Sequence, residues 1–457
     1  IIMQTFDLII LGGGPGGYPL AARMARKGWK VAIVDNESEF GGTCLNWGCI
    51  PTKALLASSR TYHLLKSAAD FGLSCENPGF DWSKVLERKN KITAQLRQGI
   101  IKMLEKSGVT LFKGIGKLYK DRVIKIAGYE ESIQGNKICL AVGSVPAAPA
   151  VFPANRSIFW TSNEALNTAE VPQSLLVVGG GVIGIELGQV FAEFGSKVCV
   201  VEMMPQILPG LDNATAKRLL PVFKKSGMEI MTGKKVDSLT EKNGRAFAVI
   251  DGTEREFDKV LIAVGRRVNM SFMHETDVQI ETERGLLKTG DDYQTSEPGV
   301  FAIGDAIKGP MLAHKASYDA MILAAQWQGE KVAADYSLVP SCVYTHPEIA
   351  WVGQSEDALK EKGIEYKTGR SLFSANGKAL TAGEGDGQIK TLIGNDGKLL
   401  GAVIWGPEAS NIINEATMMS QFGIDHHAFS RMIHPHPTLS EAFMEAVENA
   451  TGEGVHG

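Results

Sequence analysis

The chain has 457 residues, enough for about three domains. Hydrophobic residues make up 44%, charged residues 21%, and the formal net charge is −4. That composition can bury a sizeable core without staples and excludes the basic, aromatic-rich stripe of a nucleic-acid binder. No apolar run approaches the roughly 18 residues that would cross a membrane. Of six cysteines, only Cys44 and Cys49 are close, which is not a secreted disulfide framework, so a cytoplasmic location is expected.

The first apolar run, Phe6 to Leu11, passes directly into Gly12-Gly13-Gly14-Pro15-Gly16-Gly17, so it reads as a strand rather than a leader peptide. A helix is expected up to Gly28, then a strand from Lys30 to Asp35. This is the strand, glycine loop, helix and strand of a dinucleotide site. Gly12 would make the tight turn, Gly14 would let the backbone approach a pyrophosphate, and Gly17 would pack helix on strand. Asp35 would accept hydrogen bonds from a ribose. Pro19 departs from the pattern, because proline is tolerated only in a first helical turn; the helix is expected to start late or bend.

Next comes Gly41-Gly42-Thr43-Cys44-Leu45-Asn46-Trp47-Gly48-Cys49-Ile50-Pro51-Thr52-Lys53. Four residues separate the cysteines, so they can close a small, reducible ring; the alternative is a pair of structural thiols. Cys139 and Cys199 lie in apolar strand-like runs and are expected to be inert. The dinucleotide unit then recurs. Ser174 to Val178 leads into Gly179-Gly180-Gly181-Val182-Ile183-Gly184, a helix to Gly195, and a strand from Lys197 to Glu202. The acid stands 23 residues after the first glycine in both copies. Gly179, Gly181, Gly184 and Glu202 therefore take the same roles, and two sites imply two dinucleotides. Beyond residue 340, two strand-like runs flank Asn395-Asp396-Gly397, the signature of a hairpin, and a helix is expected from about Ser410 to Phe422. The last motif is His434-Pro435-His436-Pro437-Thr438-Leu439-Ser440-Glu441.

The string from Gly41 to Lys53 closely resembles the signature of the class I pyridine nucleotide–disulfide oxidoreductases, the family of glutathione and dihydrolipoamide reductases. The likeness extends over essentially the whole chain. It implies an α/β fold with two Rossmann-like domains, binding FAD and NAD, and a C-terminal α+β dimerisation domain. The segments would be 1–145 and 267–338 for FAD, 146–266 for NAD and 339–457 for the interface. Cys49 would lie against the flavin and Cys44 would exchange with substrate. Lys53 would sit near flavin N5, with Glu186 as its partner. Gly116 would contact FAD through its backbone, and Asp305, after Gly304, would bind the ribityl chain, with Ala313 in the following loop. Val236 would contact adenine. The segments Leu140 to Ser144 and Leu261 to Arg266, including Gly265, resemble the strand-to-loop motifs bordering the NAD domain. Two departures stand out: Val268 replaces a usual proline, and Ser317-Tyr318-Asp319-Ala320 replaces a more acidic run ending in glycine.

In this family the C-terminal histidine comes from the other subunit of a homodimer. His436 would be the acid–base and Glu441 its orienting carboxylate, with His434 structural. Leu439 after the threonine resembles the dihydrolipoamide dehydrogenase form, where glutathione reductases usually carry serine. That form implies oxidation of dihydrolipoamide on a lipoyl-bearing acyltransferase of a 2-oxoacid dehydrogenase complex, or on the carrier protein of the glycine cleavage system. A glutathione-reductase-like activity is the first alternative, and a docking role on an acyltransferase scaffold the second.

Overall fold

Strand β1 (Gln4–Leu11) is apolar on both faces because it lies between parallel neighbours, β2 (Val31–Asp35) and the strand Ile133–Leu140. Such strands are covered on both sides and need no polar alternation. The computed structural model describes residues 3–35 and 40–456. It divides into two units. The first comprises residues 1–54, 86–147 and 265–336, the second residues 55–85, 148–264 and 337–457.

The first unit is built on a seven-stranded sheet. Thr110–Lys113, β2, β1 and Ile133–Leu140 follow one another in parallel, and Val300–Ala302 adds to Ile133–Leu140 in parallel. An antiparallel flap, Val123–Ile126 and Gly116–Tyr119, extends the other side. Helix α1 (Gly17–Arg26) follows the glycine loop as one uninterrupted helix. It does not start late. Pro19 is its third residue, where the backbone N–H has no intrahelical partner to lose, so the proline is accommodated.

In the second unit β3 (Ser174–Val178), α4 (Val182–Glu193) and β4 (Lys197–Glu202) repeat the arrangement. The five-stranded sheet runs Met228–Thr232, β4, β3, Lys259–Ile262, Phe159–Trp160, all parallel. A three-stranded antiparallel sheet, starting at Val236, stands beside it in the chain. The C-terminal part is a five-stranded antiparallel sheet packed with the helices Ala409–Gln421 and Glu441–Thr451. Its hairpin, Gln388–Gly394 with Leu399–Gly406, turns at Gly397 in the left-handed region. The fold is thus mixed α/β, with two Rossmann-like sheets and a C-terminal antiparallel domain. Among the described residues no helix is long and apolar enough to cross a membrane.

Candidate active site

Both glycine loops have the steric form that their sequence requires. Gly12 and Gly179 take φ of +105° and +111°, and a Cβ on either would collide with the carbonyl of Ala141 or Ala263. A Cβ on Gly17 would stand 1.8 Å from the Gly12 oxygen, and one on Gly184 would stand 2.1 Å from the Gly179 oxygen. These third glycines let helix close on strand. Gly181 faces open space, and Gly14 has only the Gly42 Cα near its missing side chain. The room that a pyrophosphate needs is therefore present at both helix N-termini, where free N–H groups favour an anion. The residues fit a dinucleotide in each loop.

The two acids also hold their own loops. Asp35 Oδ2 accepts from the Gly13 amide at 2.9 Å. Glu202 accepts from Gly180 and Met204 amides, both at 2.7 Å. A carboxylate has about four lone-pair sites, so each can also take a ribose hydroxyl. Val236 opens its strand half-buried, and Gly265 has φ +122°. Gly116 begins its strand with its missing side chain aimed at Leu11, Val34 and Ile124, so glycine is demanded there by packing.

The cysteines sit at the start of the first unit's second helical stretch. Cys44 is on the short helix α2 (Gly42–Asn46), and Cys49 opens α3 (Cys49–Lys66). Both are half-buried. The Arg97 guanidinium donates to Asn46 Oδ1 at 2.8 Å and the Asn46 amide donates to the Gly42 carbonyl, which steadies α2. The two sulfurs are hydrogen-bonded. That bond, then burial and the Cys49 charge, push the Cys44 thiol up, against the opposing pull of Lys53. Cys49 stands at the N-terminus of α3, where the helix favours negative charge. Lys53 is one helical turn beyond Cys49, on the same face.

Sequence reasoning missed a hub beside this pair. Ser144 is buried. Its hydroxyl donates to Asp305 Oδ2 at 2.5 Å and accepts from Arg266 Nε at 2.7 Å. Arg266 also donates to the Ser144 carbonyl, as does the hydroxyl of Thr43, next to Cys44. Burial lowers the Arg266 pKa, while the charges of Asp305 and Cys49 raise it. The only sequence signal was that Ser144 and Arg266 end the two strand-to-loop motifs; the strands Ser144–Pro146 and Arg266–Val268 pair antiparallel. Tyr18, on α1, is a second omission: burial and then the Cys44 charge raise its hydroxyl.

Glu186 belongs to the second unit, where it is buried and accepts from the Tyr344 amide at 2.8 Å. His436 belongs to that unit too. Its Nδ1 is 2.9 Å from Glu441 Oε1, and the other Glu441 oxygen accepts from the Thr438 amide at 2.7 Å. Although burial works the other way, the Thr438 amide and His436 hold the Glu441 carboxyl below its ordinary range. The His436 side chain is 80% exposed, whereas the His434 ring is 2% exposed and engaged by Met432 and Glu415. Cys139 and Cys199 are buried, with burial raising both thiols, the latter to about 12.

Residues 6–320 match the family described as pyridine nucleotide-disulphide oxidoreductase, and residues 339–447 match its dimerisation domain. The chain belongs to the pyridine nucleotide-disulphide oxidoreductases. As a member it is an oxidoreductase enzyme. Similar proteins include the dihydrolipoyl dehydrogenase of Thermus scotoductus, 39% identical with 99% of each chain covered. The mitochondrial dihydrolipoyl dehydrogenase of Dictyostelium discoideum is 37% identical, covering 98% of this chain and 95% of the relative. Among solved structures, the Cu(II) complex of the HOCl-induced flavoprotein disulfide reductase RclA from Escherichia coli has a TM-score of 0.88 at 25% identity, over 98% of this chain and 99% of that one.

Proposed function

We propose that this pyridine nucleotide-disulphide oxidoreductase oxidises protein-bound dihydrolipoamide to lipoamide and reduces NAD+ to NADH. The observation that carries the reading is the half-buried Cys44–Cys49 dithiol, hydrogen-bonded at the head of α3 in the unit that holds the first dinucleotide loop. FAD would be held by residues 1–145 and 267–338, through Gly12, Gly14, Gly17, Asp35, Lys53, Gly116, Gly304, Asp305 and Ala313. NAD would be held by 146–266, through Gly179, Gly181, Gly184, Glu202, Val236 and Gly265. Residues 339–457 would form a homodimer interface, and the substrate would be carried on a lipoyl-bearing acyltransferase or a glycine cleavage carrier protein. When bound, FAD would supply a two-electron acceptor between the dithiol and the nicotinamide.

The chain's own residues do the sulfur and proton chemistry. In the oxidised form Cys44 and Cys49 share a disulfide bond. A substrate thiol gives its proton to His436 and, as thiolate, attacks Cys44 Sγ; the disulfide breaks and Cys49 leaves as thiolate. The second substrate sulfur then displaces Cys44, closing the substrate disulfide, and Cys44 takes the second proton. The substrate has lost two electrons and two protons, and the protein holds Cys44 as thiol, Cys49 as thiolate and His436 as imidazolium. Glu441 fixes the ring and stabilises that cation. Lys53, one helical turn beyond Cys49, would balance charge where the electrons leave. The exposure of His436 supports a base offered to a neighbouring subunit's cysteines.

Leu439 and the full-length likeness to dihydrolipoyl dehydrogenases favour this substrate over glutathione disulfide. Steady-state rates with dihydrolipoamide plus NAD+ and with glutathione disulfide plus NADPH test the choice. Turnover only of the second pair would refute it.

A further inference from the structure

Asp319 lies in the run that departs from the family pattern, on helix α5 (Ala313–Trp327). It is fully buried, as is Lys315 one turn earlier, and their charged groups meet at 2.9 Å. Such a pair is costly to bury unless its remaining donors and acceptors find partners, and here both Asp319 oxygens and two of the three Lys315 donors do. Asp319 Oδ2 also accepts from the Gly304 amide at 2.9 Å. Asp319 Oδ1 accepts from the hydroxyls of Tyr336 at 2.6 Å and Tyr293 at 3.2 Å. Lys315 Nζ donates to the Gly304 carbonyl at 2.9 Å and stands 4.9 Å from the centre of the Tyr336 ring. The network therefore grips the peptides on both sides of Gly304, a residue at φ +73°. The next residue is Asp305, whose Oδ2 is fixed by Ser144.

We propose that the Lys315–Asp319 pair, braced by Tyr293 and Tyr336, is a positioning device that sets the Gly304–Asp305 turn for the ribityl end of the flavin. The inference rests on the flavin reading above. The four side chains would act on the turn through its two peptide planes. Locking both planes beforehand removes ordering that FAD would otherwise have to impose. The adenosine end is held elsewhere, by the glycine loop and Asp35, so the device discriminates between the two halves of the cofactor.

That separation supplies the test. Protein stripped of cofactor is titrated with FAD and, separately, with ADP, which lacks the ribityl and flavin groups. Tyr336→Phe removes one brace and keeps the ion pair. Lys315→Met with Asp319→Leu removes the pair without stranding a buried charge. Asp319→Asn is the third variant. Losing hydrogen bonds to charged groups loosens the turn, so FAD binding is expected to weaken on the order of tenfold or more in the double variant and in Asp319→Asn. Tyr336→Phe should show a smaller loss, and ADP binding should stay at the wild-type level in all three. Equal losses for FAD and ADP would mean a general structural role and overturn the inference. Unchanged FAD binding in the double variant, with the wild type binding FAD normally, overturns it alone. A wild-type protein that does not bind FAD removes both the inference and the flavin reading.

Discussion

Two sulfurs five positions apart are given different work by their surroundings. Cys49 opens a helix and has Lys53 one turn away, while its hydrogen bond to Cys44 and burial raise the Cys44 thiol. Replacing Cys44 by serine should leave Cys49 as an unpaired thiolate. In flavin-loaded protein a long-wavelength absorption band is then expected without any reductant. A band in Cys49→Ser instead would reverse the assignment. Glu202 poses a second question at this scale. Both of its oxygens are already drawn inward by the Gly180 and Met204 amides, so the carboxylate is held in place and cannot swing away from a 2′-phosphate. NADP sites usually place an arginine nearby, and the residues that follow here are Met203, Met204 and Pro205. A clear preference for NAD over NADP in kcat/KM is expected; equal efficiencies would contradict it.

At the scale of elements, the second unit carries its own buried charge cluster. Asp212 caps the helix Asn213–Lys225 by accepting from the Thr215 amide. The same oxygen takes Lys390 Nζ at 2.7 Å, and Lys390 also reaches Glu356 at 3.0 Å, at the start of the helix Glu356–Glu361. One lysine in the middle of the strand Gln388–Gly394 thus ties two helices to the sheet. Lys390→Met strands two carboxylates, one of them almost fully buried, and is expected to lower unfolding stability by about 3–5 kcal/mol. Denaturant midpoints with a matched slope measure it. The acid response has a sign. Although burial opposes it, Lys390 and Lys360 hold the Glu356 carboxyl down at about 2, below its ordinary 4.5. A depressed carboxyl stabilises the fold above its unfolded pKa, and this contribution is lost as pH falls through the folded one. The gap in stability between wild type and Glu356→Gln should therefore be full at neutral pH and shrink between pH 4.5 and about 2.

At the scale of the whole molecule, the exposed His436–Glu441 dyad and the cysteine pair lie in different units of the chain. Removing a positioned general base costs about 10²–10⁴ in rate, and His436→Gln should lose dihydrolipoamide turnover on that scale. NADH oxidation by an artificial acceptor should survive, because that half-reaction does not use the base. Glu441→Gln should cost less, since the ring loses its orientation and keeps its basicity. If the dyad serves the partner subunit, mixing inactive Cys44→Ser chains with inactive His436→Gln chains should restore partial activity in heterodimers. Proven subunit exchange without any recovery would place dyad and cysteines in one chain.

The sequence by itself determined the two glycine loops with their acids, the cysteine pair and the C-terminal hairpin, while the pairing of His436 with Glu441 came from the family resemblance. Each depends on short spacings, where a turn, a helix start or a neighbouring residue leaves a local mark. Even the one local misreading, Pro19, concerned a single helical turn. What only the tertiary structure decided lies across long separations. Ser144 meets Asp305 and Arg266 because two distant strands pair. Glu186 meets Tyr344, and Lys390 meets Asp212 and Glu356, through the packing of helices against sheets and loops. The bracing of Gly304 by Lys315 and Asp319 needs Tyr293 and Tyr336 as well. Hydrophobic period sets which face of a strand or helix is buried; it carries no record of which polar group waits on the element packed against it. Those contacts exist only once the sheets have formed, and burial then makes each unmet hydrogen bond costly.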